Sequence, residues 1–202
     1  MSKVCIFIES DKETTNEGHF VRHMATLVYA GDSKEIEIVG TGGYTNLDQF
    51  AVQMQRNTDN GIKNLVIFDA DFPKEGGFEK RNLKLLNLKE KEKVDFELFL
   101  FPNNQDNGTF EHLLEHLATE EHKGLLECFE GYESCIRGRN NPKYVSPDQK
   151  AKMYAYVSTQ KKNSKETTEF KKGNWYFDRA GWWNLEVDYL KPLQDFLSLY
   201  LK

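Results

Sequence analysis

Apolar positions along the first 117 residues fall into strand-length runs that alternate with helically spaced residues. The runs lie at residues 4–8, 36–39, 64–68 and 96–101. Helical signals separate them, such as the three-to-four spacing of Phe20, Met24 and Leu27. Apolar strands without strict alternation, separated by helices, are typical of a parallel sheet covered on both faces. The pattern predicts an α/β fold, a parallel four-stranded sheet flanked by helices.

Beyond residue 120 the strand signals end and helical signals remain. One helix is predicted around an apolar face from Leu125 to Ile136, a second starts at Ser146 and Pro147, and a final one carries Phe196. The lysine-rich stretch 159–174 has no apolar period and predicts an exposed loop. We therefore expect residues 1–120 to form the α/β domain and residues 121–202 a helical, basic C-terminal extension packed on it.

Composition excludes several classes of protein. Hydrophobic residues make up 39% of the chain and aromatic residues 13%, enough for a core and too much for a disordered chain. No stretch approaches the roughly 18 to 20 apolar residues of a membrane span, and the first apolar run is too short for a secretory signal. The three cysteines form neither a disulfide framework nor a CxxC pair. These features predict a cytoplasmic protein without membrane contact.

The net charge of −5 conceals an uneven distribution along the chain. Residues 1–135 hold 14 Lys and Arg against 25 Asp and Glu, whereas residues 136–172 hold 10 against 3. The candidate nucleic-acid-binding residues of this basic stretch are Arg137, Arg139, Lys143, Lys150 and Lys152. Cations interleaved with tyrosines suit a nucleic-acid backbone with base stacking. A solvated surface segment that neutralises the acidic body explains the charge equally well.

Acidic residues follow two of the predicted strands at their carboxyl ends. Glu9 ends the first strand, and Asp69 and Asp71 end the third. If these strands are neighbours, about 4.8 Å apart, the three carboxylates converge where open α/β sheets place their sites. Carboxylates that close repel one another, so a proton or a cation sits among them, and oxygen ligands select Mg²⁺ or Mn²⁺. The alternative is that each acid is a solvated cap or starts a helix.

Two further acids follow the fourth strand. Asp106 and Glu111 are candidates for a second cation position. An ordinary turn at residues 106–108 and a first-turn helix residue at position 111 explain them as well. The glycines of residues 40–43 follow the second strand and predict a flexible turn in preference to a phosphate cradle.

The acidic pattern resembles a known family. Glu9 after the first strand, and Leu65 to Phe68 followed by Asp69-Ala70-Asp71 after the third, are similar to the Toprim domain of topoisomerases, bacterial primases, overcoming-lysogenization-defect nucleases and small recombination proteins. The resemblance spans about residues 3–117. The tract 101–108, running on to Glu111, is similar to a small stand-alone branch of Toprim-like bacterial proteins without an assigned function.

The resemblance implies a metal-dependent nuclease. Glu9 would be the general acid or base, and Asp69 and Asp71 would hold Mg²⁺ for hydrolysis of a DNA or RNA phosphodiester. An ATPase protein is a candidate partner, although the sequence does not say whether one is needed for activity. Ser10 follows Glu9 where many family members have glycine, and neither a tyrosine-nucleophile domain nor a primase zinc module is recognisable. Topoisomerase and full primase activities are therefore not expected.

Two other functions compete with the nuclease. The first is a non-catalytic module of the same fold that binds nucleic acid or a protein. The second is a receiver-like phospho-acceptor domain, which requires an acid pair after the first strand and a lone Asp after the third. Asp11 supplies a partner for Glu9 in that pattern, but Asp71 and the long C-terminal extension fit it poorly.

Overall fold

The structure, a computed structural model, describes residues 4–29 and 35–201. Four strands alternate with helices in the first half of the chain, and helices follow in the second. The strands are β1 Val4–Ile8, β2 Ile36–Gly40, β3 Lys63–Asp69 and β4 Glu97–Phe101. The helices are α1 Asn16–Val28, α2 Ala51–Asp59, α3 Gly77–Glu92, α4 Phe110–Leu117, α5 Lys123–Gly138, α6 Gln149–Thr159, α7 Ser164–Lys171 and α8 Lys191–Tyr200.

The strands form one parallel sheet in the order β2-β1-β3-β4. The two central strands are buried on both faces, which explains their uninterrupted apolar sequences. The predicted α/β class with a parallel four-stranded sheet is confirmed. Because β1 pairs directly with β3, with Ile8 opposite Ile67, the condition for convergence of their carboxyl ends is met.

Each face of the sheet carries its own apolar core. Side chains alternate along β1, so Phe7 enters one core and Ile6 the other. The first core is closed by α2 and α3 through residues such as Met54 and Leu85. The second is closed by α1, α4, α6 and α8. The C-terminal helices therefore share a core with the sheet, and the ring of Phe196 in α8 lies 5.4 Å from that of Phe99 in β4.

The second half of the chain differs from the sequence prediction in three places. Helix α6 starts after Asp148, whose carboxylate accepts the N–H of Ala151 at 2.8 Å, and the predicted start at Ser146 is wrong. The stretch 159–174 contains α7, so the predicted loop is wrong. A reciprocal cap between Asn163 and Glu166 begins α7 where no apolar period marks a helix.

The third difference concerns the burial of α5. This helix forms where the sequence predicts it, but Leu126 is the only residue of its predicted apolar face that is buried. Tyr132 on that face is exposed. Within the described residues, no helix combines the length and hydropathy that a membrane crossing requires.

Candidate functional site

Two of the predicted acids lie together at the carboxyl ends of β1 and β3. The Glu9 carboxylate accepts the backbone N–H of Asp69 at 3.0 Å. The Asp69 carboxylate accepts the N–H of Phe110, the first residue of α4, at 2.8 Å. The parallel pairing of the two strands brings these groups together across 60 residues of sequence. The predicted convergence of Glu9 with the end of the third strand is therefore present.

The third acid, Asp71, is paired with an arginine. Asp71 has a left-handed backbone with φ of 62°, and its N–H and carbonyl bond to Gly108. Its carboxylate accepts a hydrogen bond from Arg81 in α3. The same guanidinium lies 3.4 Å from the Glu9 carboxylate and 3.5 Å from the centre of the Tyr44 ring. With only 5% of its side chain exposed, Arg81 is a fixed positive charge between the two acids.

Sequence reasoning missed Arg81. It is the single arginine of α3, which otherwise carries lysines. Arginine among lysines on a helix is a usable signal, because the planar guanidinium suits buried carboxylate pairs and aromatic stacking better than an ammonium group does. The distance of 72 residues between Glu9 and Arg81 concealed the pairing.

Sequence reasoning also missed Glu17, in the first turn of α1. Its carboxylate accepts the backbone N–H groups of Glu9 at 3.2 Å and Ser10 at 3.0 Å, and also the Ser10 hydroxyl. Glu17 thus fixes the chain immediately after β1. Burial raises its pKa from 4.5 to about 7, against the opposing effect of these hydrogen bonds. An acid in the first turn after the Thr15 cap is common in any helix, so its sequence carried no distinguishing signal.

The acids border a cavity of about 310 Å³, which we name the acidic pocket. Its lining residues are Glu9, Ser10, Asp11, Thr15, Asn16, Glu17, Asp69, Phe110, Glu111 and Lys150. A neighbouring cavity of about 630 Å³ shares Asp69, Glu111 and Lys150 with it. Because Lys150 belongs to α6, the basic C-terminal half of the chain contributes a cation to the edge of the pocket.

Burial and neighbouring charges raise the pKa values of three acids of the pocket, Glu9, Glu17 and Asp69. The pKa of Asp69 is raised well above its ordinary value, first by burial and then by the charges of Glu17, Glu9 and Glu111. Burial also raises the pKa of Glu9, and it outweighs the opposing effect of Arg81. A raised pKa favours the protonated form of an acid, and a cation bound among these acids would favour the ionised form instead.

The side chains that line the acidic pocket have the chemistry that a hard divalent cation requires. The titratable side chains of the pocket are carboxylates and one lysine, without cysteine or histidine. In addition, the buried side-chain nitrogen of Asn16 has no acceptor within the described part of the chain, so a bound molecule with an oxygen acceptor would satisfy it. No three Asp, Glu, His or Cys side chains among residues 4–29 and 35–201 are gathered as a ligand set, however. The residues that line the pocket are therefore of the right chemical type for a cation, but they are not arranged as a ligand set in this structure.

The two further acidic candidates lie in different surroundings. Glu111 lines the acidic pocket and its neighbour, and its carboxylate accepts the Thr109 hydroxyl at 2.9 Å. Asp106 lines neither cavity. Its carboxylate accepts from the Asn103 amide at 2.8 Å and the Tyr189 hydroxyl at 3.2 Å, which fixes the loop after β4.

The five basic candidates are also separated. Lys150 lines the acidic pocket. Lys152 is buried and bonds to the carboxylates of Glu115 at 2.5 Å and Glu130 at 2.7 Å, so the fold itself uses its charge. The remaining three are exposed near the end of α5 and in the loop after it, at Arg137, Arg139 and Lys143.

The glycine-rich turn after β2 is hydrogen-bonded to the segment of chain that follows β1. The N–H groups of Gly42 and Gly43 donate to the carbonyl oxygens of Ser10 and Glu9, so they continue the β1–β2 pairing and are not directed at a ligand. A Cβ on Gly40 would stand 2.4 Å from the Lys12 backbone nitrogen, so only glycine lets the chain after β1 approach this closely.

Comparison with known proteins adds a family. A family model described as "Protein of unknown function (DUF3226)" matches residues 11–201, from just after Glu9 to the last described residue. No curated protein matches the chain, and no solved structure matches it.

Proposed function

This chain belongs to the DUF3226 family, whose description assigns no function, and we propose that it hydrolyses phosphodiester bonds of DNA or RNA with a divalent cation in the acidic pocket. The observation that carries the proposal is the gathering of Glu9, Glu17, Asp69 and Glu111 around one cavity, with raised pKa values where a shift is resolved. Such a concentration of partly or fully buried acids is costly to a fold and is common at functional sites.

The Toprim resemblance supports the same chemistry. A Glu after the first strand and an Asp-x-Asp after the third mark that family, and here the two strands are direct neighbours in a parallel sheet. Asp69, with Glu111 on the same cavity, would hold Mg²⁺ or Mn²⁺. When bound, the cation activates water and stabilises charge on the phosphate oxygens.

The chain's own residues then have separate tasks. Glu9 exchanges a proton with the attacking water or with the leaving oxygen, for which a raised pKa is suited. Lys150 at the edge of the pocket binds a phosphate oxygen, and the unpaired nitrogen of Asn16 donates to another oxygen of the substrate. Asp71 acts through Arg81, which holds Glu9 in place.

The proposal is tested with single-stranded DNA, double-stranded DNA and RNA, incubated with the full chain and Mg²⁺ or Mn²⁺. We expect cleavage by the native protein and a loss of at least about a hundredfold in Asp69→Asn, because a weakened cation site loses stabilisation of transition-state charge, and such a loss costs this order of rate. Asp106→Asn is the matched control, since Asp106 lies at the same end of the sheet but lines neither cavity. Equal rates for Asp69→Asn and Asp106→Asn would remove the pocket from the chemistry.

A second candidate function is a non-catalytic binding module. Two observations favour it: no ligand set is gathered among the described residues, and Asp71 is already neutralised by Arg81. Thermal denaturation distinguishes the two functions. A cation that binds only the native state stabilises it by about 2.7 kcal/mol at a hundred times its dissociation constant. If Mg²⁺ and Mn²⁺ leave the melting temperature unchanged, the binding module is the better description.

A further inference from the structure

A second cavity lies along α1, away from the acidic pocket. It has a volume of about 570 Å³, and we name it the α1 groove. Its lining residues are His23, Leu27, Thr119, Glu120, Phe177, Asp178, Ala180, Trp183, Asn184, Leu185 and Glu186. Leu27 is ten residues further along α1 than Glu17 of the acidic pocket, a rise of about 15 Å. The two cavities are therefore separate, and the α1 groove has no part in the proposed chemistry.

The floor and one wall of the α1 groove are apolar. Phe177 and Trp183 form buried parts of the core beneath it, and Leu185 is partly buried beside them. On the α1 wall of the groove, 58% of Leu27 is exposed, although α1 buries its other large apolar residues Phe20 and Met24. An apolar surface that remains accessible beside two core aromatic residues is typical of a binding site.

The rim of the groove is negatively charged. Glu120, Asp178 and Glu186 are exposed there. Glu120 is paired with Lys123, whereas Asp178 and Glu186 have no ion pair within the described residues. Burial lowers the pKa of His23 despite the opposing charge of Asp178, which favours the neutral imidazole. An apolar floor with unpaired carboxylates at its edge is complementary to a ligand that is both apolar and cationic.

The groove continues along α1 into an adjoining cavity of about 410 Å³, with which it shares His23, Phe177 and Asp178. Arg22 lines this continuation, but its guanidinium is paired with Glu13 at 2.7 Å. The combined shape is elongated along the helix. It therefore suits an extended chain with several side chains better than one compact small molecule.

We propose that the α1 groove binds a segment of a protein partner that presents an arginine or lysine beside large apolar side chains. The apolar side chains lie against Leu27 and Leu185, above the buried rings of Phe177 and Trp183, and the cation reaches Asp178 and Glu186. A nucleic acid is a poor occupant, because its phosphates would face the two unpaired carboxylates. The inference does not depend on the proposed hydrolysis, since none of these residues borders the acidic pocket.

The test uses the full chain labelled with ¹⁵N and two tetrapeptides with blocked ends, Leu-Arg-Phe-Lys and Leu-Glu-Phe-Glu. We expect the basic peptide, at about 1 mM, to shift the backbone amide signal of Leu27 and the indole signal of Trp183, because short peptides reach affinities of this order. The acidic peptide should shift neither signal. Equal shifts with both peptides, or none with the basic peptide at about 5 mM, would overturn the proposal.

Two substitutions assign the binding to the groove. We expect Asp178→Asn with Glu186→Gln to weaken binding of the basic peptide about fivefold to tenfold, as loss of two exposed charge pairs implies. The double variant Glu79→Gln with Asp195→Asn, which also removes two exposed carboxylates, should bind as the native protein does.

Leu27→Ala should weaken binding, because it removes the apolar wall, whereas Leu199→Ala removes an equally exposed leucine of α8 and should not. Unchanged binding in Leu27→Ala would refute the assignment to this groove. A dimer in sedimentation experiments that Leu27→Ala dissociates would identify a second copy of the chain as the occupant and overturn the peptide proposal.

Discussion

Replacement of Arg81 by methionine tests the electrostatic arrangement at the edge of the sheet. Methionine retains much of the apolar volume of the arginine stem but removes the charge. The Glu9 and Asp71 carboxylates then lose their common cation, and the Tyr44 ring loses its stacking partner. We expect a substantial loss of stability, because the substitution leaves two partly buried acids without compensation.

The size of the expected loss of stability depends on how deeply Arg81 and its two acidic partners are buried. Removing one partner of a buried ion pair costs about 3 to 5 kcal/mol. Here Arg81 has 5% of its side chain exposed, but Glu9 and Asp71 have 22% and 25% exposed, so water screens part of the released charge. We therefore expect a loss of about 2 to 4 kcal/mol at pH 7. In a chain of this size that corresponds to a fall of roughly 5 to 15 °C in the melting temperature.

Urea denaturation at pH 7, followed by circular dichroism, measures the loss. Arg22→Met is the matched control, because Arg22 pairs with Glu13 at the surface, where both side chains are well exposed. Such a pair contributes about 0 to 1 kcal/mol. If Arg81→Met and Arg22→Met lose the same free energy of unfolding, Arg81 does not compensate the two acids and the reasoning fails.

Three further predictions concern stability and charge. Glu17 has a pKa of about 7 in the folded protein, compared with 4.5 ordinarily, so between these pH values the native state binds more protons than the unfolded state does. The free energy of unfolding should therefore fall by about 3 kcal/mol as the pH rises through this window. Urea titrations should show this slope reduced in Glu17→Gln, and an unchanged slope would contradict the assignment. Gly40→Ala should destabilise the protein by about 1 to 3 kcal/mol in the same assay, because its Cβ would overlap the chain after β1, whereas Gly124→Ala, which meets open space, should not. Lys152→Met should lower the melting temperature by several degrees, because the substitution leaves Glu115 and Glu130 without their common cation. Lys150→Met should leave the melting temperature nearly unchanged but weaken the binding of a fluorescent oligonucleotide. The reverse pattern would refute these roles.

The strands and most helices were predictable because their signals are local. A strand buried on both faces favours an apolar residue at every position, as β1 shows along its whole length and β3 from Leu65 to Phe68. The position of Glu9 and Asp69 at the ends of their strands followed from the same pattern, whereas the adjacency of those strands was only a condition, which the pairing of β1 with β3 meets. Helix α7 escaped prediction because its reciprocal cap, and not an apolar period, marks it in the sequence.

The chain alone determined which acids stand at the ends of strands, since strand ends are encoded within a few residues. Only the tertiary structure decided what those acids contact. Glu9 meets a glutamate eight residues away and an arginine 72 residues away, and helices α1 and α3 bring these partners to it. The pKa and partner of a carboxylate depend on the charges and solvent within a few ångströms. Those surroundings are set by how helices cross the sheet, and no local pattern in the sequence records them.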